Sequence, residues 1–98
     1  QIDLKKVNIE AFKPWINEKI VEYSGTEDDV LVEFVCTQLE ILLIFNQSPD
    51  QKQMQINMGG FLSTRNARMF TEDLWSELQM AVLSDNGMSP AVLNLNRE

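Results

Sequence analysis

A chain of 98 residues has room for one domain with a modest core that closes without a metal or a disulfide. Its 15 acidic and 8 basic residues give a formal net charge of -7, with no histidine; this disfavours an unaided grip on phosphate backbones and removes the commonest general base near neutral pH. Hydrophobic residues at 44% and charged residues at 23% describe a globular chain, and no segment approaches the roughly 20 apolar residues needed to span a bilayer.

The acidity is regional. Residues 1 to 25 carry four acids and four bases, the bases being Lys5, Lys6, Lys13 and Lys19, whereas residues 26 to 48 carry Glu27, Asp28, Asp29, Glu33 and Glu40 and no base. Ile2, Leu4 and Val7 stand among charges in a segment, 1–7, read as an amino-terminal flank of a single domain spanning 1–98. Asn8 is a candidate cap for a turn carrying Ile9 and Phe12. Pro14 then opens the first long helix, since it needs no backbone donor in a first turn. Phe12, Ile16, Ile20 and Tyr23 recur at helical spacing on one face, while Glu18, Lys19 and Glu22 fall away from it. Gly25 is placed to end that helix.

Thr26 to Asp29 supply cap candidates and first-turn acids for a second helix, whose apolar set is Val30, Leu31, Phe34, Val35, Leu39 and Leu42, with Gln38 in the same register. The lone Cys36 excludes an internal disulfide and a cysteine-based zinc site and reads as a small packing residue. The run Ile41 to Phe45 is more apolar than one helical face requires: either other elements surround it, or part of it, Ile44 and Phe45 above all, is an exposed protein-contact surface. Asn46 to Asp50 predicts a loop, Gln51 to Gln55 a short helical turn, and Ile56 and Met58 are expected to pack inward. After the Gly59-Gly60 bend, Phe61 and Leu62 pin the chain to the core.

Ser63 or Thr64 caps a third long helix built on Ala67, Phe70, Leu74, Leu78, Ala81 and Val82. Arg65 and Arg68 occupy its first turns against the macrodipole preference for acids there, which hints at a functional surface; an ion pair between Arg68 and Glu72 is the ordinary alternative. Ser89, Pro90 and the pair Met88 and Leu93 outline a short final helix, with Asn94, Asn96, Arg97 and Glu98 facing solvent. The fold class expected is all-α, a compact four-helix bundle with short additional turns, behaving as a monomeric domain. Asp28 with Asp29 and Glu72 with Asp73 are sequential neighbours that point apart on a helix, and no phosphate loop or zinc spacing occurs, so no enzyme activity, catalytic residue, cofactor or metal site is expected.

The stretch Lys6-Val7-Asn8-Ile9-Glu10 through Lys13-Pro14-Trp15-Ile16 resembles the signature that gives the PWI domain family its name. Glu27-Asp28-Asp29-Val30, Phe34, Gln38-Leu39-Glu40, Met54-Gln55-Ile56-Asn57, Gly60-Phe61-Leu62, Asn66-Ala67, Phe70, Leu74-Trp75 and Ser89-Pro90-Ala91 follow in the order the family has, so the resemblance covers nearly the whole chain. It implies a four-helix bundle in a nuclear pre-mRNA splicing or processing factor, with Pro14, Trp15 and Ile16 as structural signature residues. It further implies weak, sequence-nonspecific RNA or DNA binding helped by basic flanking residues, for which Lys5, Lys6, Lys13, Lys19, Arg65 and Arg68 are the candidates. The acidic balance and the apolar 41–45 run depart from that pattern and point to the alternative, a domain that contacts proteins of a splicing complex and has little intrinsic nucleic-acid binding.

Overall fold

Phe12, Trp15, Ile16 and Ile20 are all buried on one side of the first helix, and the rest of the molecule closes around that stripe. The computed structural model describes residues 1–97. Five α-helices follow in order: α1 (Lys13–Ser24), α2 (Asp29–Ile44), α3 (Gln51–Met58), α4 (Thr64–Leu83) and α5 (Pro90–Leu95), preceded by 3-10 turns at Leu4–Lys6 and Glu10–Phe12. There is no strand among the described residues, so the fold is all-α. Glu98, expected to face solvent, lies outside the described residues.

The helix boundaries follow local chemistry. The Asn8 side chain accepts from the Ala11 N–H at 3.3 Å, Pro14 sits in the first turn of α1, and Gly25 takes the left-handed conformation at φ 85° that ends it. Asp28, Asp50, Ser63 and Ser89 each accept a hydrogen bond from a backbone N–H three residues on, capping α2, α3, α4 and α5. Gly87, at φ 73°, has a tighter constraint, because a Cβ there would lie 2.6 Å from the Asn8 nitrogen. Its carbonyl accepts from the Asn8 N–H at 2.9 Å, tying the α4–α5 loop to the amino-terminal segment.

The core joins α1 to α2, α4 and α5, while α3 leans on α4. Phe12 meets Trp15 edge-on at 6.2 Å between ring centres, and Trp15 lies 6.5 Å from Phe70, linking α1 to α4 through aromatic rings. Thr71 is fully buried, with its hydroxyl donating to the Ala67 carbonyl, so the polar group carries no desolvation penalty.

Four sequence expectations are corrected. Segment 1–7 is no flank: Ile2, Leu4 and Val7 are buried, and the first 3-10 turn wedges between α2 and α4 because its apolar side chains have core to meet there. The turn expected near 51–55 is a two-turn helix, since Asp50 caps it and Met54 and Met58, one helical turn apart, both reach the core. That register leaves Ile56 outside, 61% exposed, instead of packed inward. Asn96 does not simply face solvent; its amide donates to the Ala11 and Val92 carbonyls at 2.9 and 2.7 Å, clamping the end of α5 onto the turn before α1.

Candidate interaction surfaces

The six basic residues singled out in the sequence do not form one surface. Lys13 and Lys19 project from α1 into acids. The Lys13 ammonium lies 2.6 Å from Glu33 on α2 and 3.9 Å from Glu10. Its hydrogen bond to Glu33, reinforced by that carboxylate's charge, raises its pKa above the usual lysine value. Lys19 lies 3.2 Å from Glu22 and 3.6 Å from Asp73, with its ammonium 5.8 Å from the Trp15 ring centre. Partial burial pulls the Lys19 pKa down, but Glu22 and Asp73 outweigh it and the net shift is upward. Both cations are therefore already satisfied by acids of the same chain.

Lys5 and Lys6 are exposed beside Asp85 and Asn86 at the carboxy-terminal end of α4. Arg65 and Arg68 are exposed in the first turns of α4. A helix of that length runs about 30 Å at 1.5 Å per residue, so the two unpaired groups lie at opposite ends of the molecule. Among the described residues none of the four lies within ion-pair distance of an acid; the expected Arg68 to Glu72 pair does not form, as solvent satisfies two exposed long side chains without it.

The other end of α1 is locked by polar bonds. The Tyr23 hydroxyl donates to Asp73 on α4, and the Asn66 amide donates to the Tyr23 carbonyl at 2.8 Å. The bond to Asp73, with partial burial, pushes the Tyr23 pKa up to about 12. Ser89, buried ahead of α5, donates to Glu77 at 2.6 Å. Cys36 is buried on α2, and burial with the nearby Glu33 charge raises its thiol pKa to about 11, so it remains a protonated packing group.

The outward face of α2 has a different character. Leu31, Val35 and Leu39 go inward, while Val30, Phe34, Ile41 and Phe45 repeat on the opposite side at helical spacing. Val30 is 75% exposed, Ile41 49%, Ile44 76% and Phe45 68%. Of the two readings of the 41–45 run, exposure is the one observed; Val30, expected in the core set, belongs to this outer stripe because its register is that of Phe34 and Ile41. Phe61, 51% exposed, extends the patch from the turn after α3 by packing against Phe34 with ring centres 5.1 Å apart.

Between α2 and α3 lies a groove of about 370 Å³ lined by Gln38, Ile41, Leu42, Pro49, Met54 and Asn57, among others. An amide relay crosses it: Gln53 donates to Asn57 at 2.9 Å, and Asn57 donates to Gln38 at 2.7 Å. The relay ends on the Gln38 Nε2 group, which is buried and has no acceptor. Sequence reasoning passed over this relay, although a glutamine one helical turn from both Phe34 and Leu42 was the visible signal for it. The signature residues lie elsewhere: Trp15 and Ile16 are in the core and Pro14 is exposed in the first turn of α1. Among the described residues no group of three or more cysteine, aspartate or glutamate side chains is arranged to hold a metal ion, and no helix is long and apolar enough to cross a membrane.

An all-helical unit with the tryptophan and isoleucine of a PWI tripeptide in its core is the signature of one class, and the PWI domain family model matches residues 10–86: the chain belongs to the PWI family. Over all 98 residues it is 44% identical to serine/arginine repetitive matrix protein 1 of Gallus gallus, of which it spans about a tenth of the length. A stretch of 27 residues, 28% of the chain, is 56% identical to RNA-binding protein 25 of Mus musculus and of Homo sapiens, covering 3% of each. The family match leaves out the first 3-10 turn and α5, yet Leu4 and Val92 from those elements are buried in the same core.

Proposed function

We propose that this PWI domain is a protein-docking module of a nuclear pre-mRNA splicing factor, holding that factor in a larger complex without making or breaking bonds. The family's association with splicing factors supports the setting. One observation carries the docking role: the outer face of α2 presents Ile41, Ile44 and Phe45 to solvent as a contiguous apolar patch, which Val30 and, through its packing on Phe34, Phe61 extend. Nucleic acid is a poor fit, because residues 26–51 bring no base to that patch, Lys13 and Lys19 on α1 are ion-paired within the chain, and the net charge repels phosphate.

The test is a pull-down from nuclear extract after ribonuclease treatment, comparing the unaltered chain with Phe45→Ser. Proteins retained by the former and lost by the latter support docking through α2. Equal capture by both, or capture that disappears with ribonuclease alone, contradicts it.

A second reading, weak sequence-nonspecific binding to RNA or DNA, has one observation in its favour: Lys5 and Lys6 stand side by side, exposed and, among the described residues, without an acid within ion-pair distance. In that reading basic residues flanking the folded unit supply most of the charge. A gel-shift series at rising salt, run with and without such a flank, detects it as binding by the flanked form that weakens steeply with ionic strength and with Lys5→Glu or Lys6→Glu.

A further inference from the structure

We propose that Ser48 is a phosphorylation site for a proline-directed serine kinase, that Lys5 holds the phosphate, and that the modification closes the apolar face of α2 to its partner. The last step rests on the docking reading above; the site itself does not.

Two of the chain's three prolines follow a serine, in Ser48-Pro49 and Ser89-Pro90. The structure separates the two. Ser89 is fully buried and its hydroxyl is engaged twice, donating to Glu77 at 2.6 Å and accepting from the Val92 N–H at 3.3 Å, so a phosphate there would break the α5 cap. Ser48 is exposed in the loop between α2 and α3, and among the described residues its hydroxyl has no protein partner. Pro49 also prepares it for a kinase. A proline disfavours helical backbone at the residue before it, which biases Ser48 to the extended conformation that a kinase cleft binds. It brings no backbone N–H to the next position, where a proline-directed kinase offers no acceptor for one. Residues 47–50 accordingly lie outside helix and turn. They are held at both ends: the Gln47 N–H donates to the Leu42 carbonyl at 2.8 Å, and Asp50, extended at φ −109°, caps α3. The step is phosphoryl transfer from ATP. The Ser48 Oγ–P bond forms, the bond from the γ-phosphorus to the β–γ bridging oxygen breaks, ADP leaves, and the hydroxyl proton passes to the kinase's base.

The product has a seat. Ser48 lines a cavity of about 350 Å³ together with Lys5, Asn46 and Gln47. Among the described residues Lys5 has no acid within ion-pair distance, and the one acid in the lining, Asp3, is turned to the Lys5 backbone N–H at 3.1 Å. A phosphoserine, at about −1.5 to −2 charge, finds the Lys5 ammonium across that cavity. Ser48 lines a second recess as well, the α2–α3 groove, beside Ile41, Leu42 and Pro49. Phosphate at this rim sets a strongly hydrated charge against the apolar patch, and a partner covering Ile41 would have to desolvate it.

The test treats the folded chain with ATP and a purified cyclin-dependent kinase and locates phosphate by peptide mass spectrometry. Phosphate is expected on Ser48 and not on Ser89; Ser48→Ala should abolish it, and Pro49→Ala should slow it about tenfold or more. Phosphorus NMR then reads the seat: Lys5→Ala should raise the phosphoserine titration midpoint by about half a pH unit, since the lost cation favoured the dianion. In ribonuclease-treated extract with phosphatase inhibitors, phosphorylation should cut Phe45-dependent capture about fivefold or more, while kinase-treated Ser48→Ala keeps it. Circular dichroism establishes that each variant is folded. No phosphate on Ser48, or phosphate on Ser89 in preference, overturns the site; a midpoint indifferent to Lys5→Ala overturns the seat. Phe45-dependent capture that phosphorylation leaves unchanged overturns the switch while docking stands. Capture that never depended on Phe45 removes docking and the switch together, and phosphate on Ser48 then stands alone.

Discussion

The α1–α4–α5 side of the molecule and the α2–α3 side are built from similar residue types and finished in opposite ways. On the first, polar groups answer one another across elements: Tyr23 to Asp73, Lys19 to Asp73, Asn66 to the Tyr23 carbonyl, Ser89 to Glu77 and Asn96 to the Ala11 carbonyl. On the second, the side-chain amide relay stops at an unpaired Gln38 donor, and Ile41, Ile44 and Phe45 remain in water. Internal stability explains these bonds on the closed side, where Leu83 at the end of α4 is the apolar side chain left most in water, 86% exposed. It does not explain the open one, since exposed apolar side chains add nothing to the fold and an orphaned donor detracts from it.

Substitutions on the two sides should therefore separate stability from binding. The largest loss is expected at Phe70, fully buried against Trp15, where Phe70→Ala should lower the unfolding free energy by about 3–5 kcal/mol in urea titrations. Gly87→Ala follows, at about 2–3 kcal/mol, because it combines a left-handed backbone with a methyl group set against Asn8 and Lys6. Gly25→Ala, with a similar φ and open space around it, should cost only about 1 kcal/mol; equal losses at the two glycines would show that the loop contact contributes nothing.

Asp73→Asn probes the closed side through its chemistry. The chain has one tyrosine, so phenolate absorbance reports Tyr23 alone. Its midpoint should fall from about 12 towards the ordinary value of 10.0 once the carboxylate is gone. Since the folded-state pKa is raised, the stabilisation from this bond is full below pH 10 and is lost as pH rises through about 12; the variant should lack that alkaline decline. The smallest effect is expected on the open side, where Phe45→Ser should change stability by no more than about 0.5 kcal/mol while abolishing partner capture. A destabilisation of about 2 kcal/mol there would make Phe45 a fold residue and erase the contrast.

Periodicity made the closed side readable. Phe12, Ile16, Ile20, Phe70, Leu74 and Leu78 repeat at helical spacing, and all six are buried. Caps at Ser63 and Ser89 and the stop at Gly25 were likewise written in local residue chemistry. The open side was legible only in outline: the 41–45 run announced surplus apolar surface, but α3 is so short that its sequence does not say which of Ile56 and Met54 turns inward. The fate of the lysines was not legible at all. Lys13 and Lys19 look outward-facing in a local reading, and the acids that neutralise them, Glu33 and Asp73, come from distant parts of the chain brought close only by folding. For the same reason Ile2, Leu4 and Val7 read as flank, since the α2 and α4 surfaces that receive them are not local either.

The sharpest test of whether this domain recognises protein through its open side or nucleic acid through its cations is a titration of single-stranded RNA into the isotope-labelled chain at low salt. Small amide shifts confined to the separate neighbourhoods of the unpaired cations, Lys5 with Lys6 and Arg65 with Arg68, are expected, with the amides around the ion-paired Lys13 and Lys19 and along the outer face of α2 unmoved. Saturable shifts at Lys13 and Lys19 together with the unpaired cations, weakening as salt is raised, would contradict this by showing that the dispersed cations act as one nucleic-acid surface.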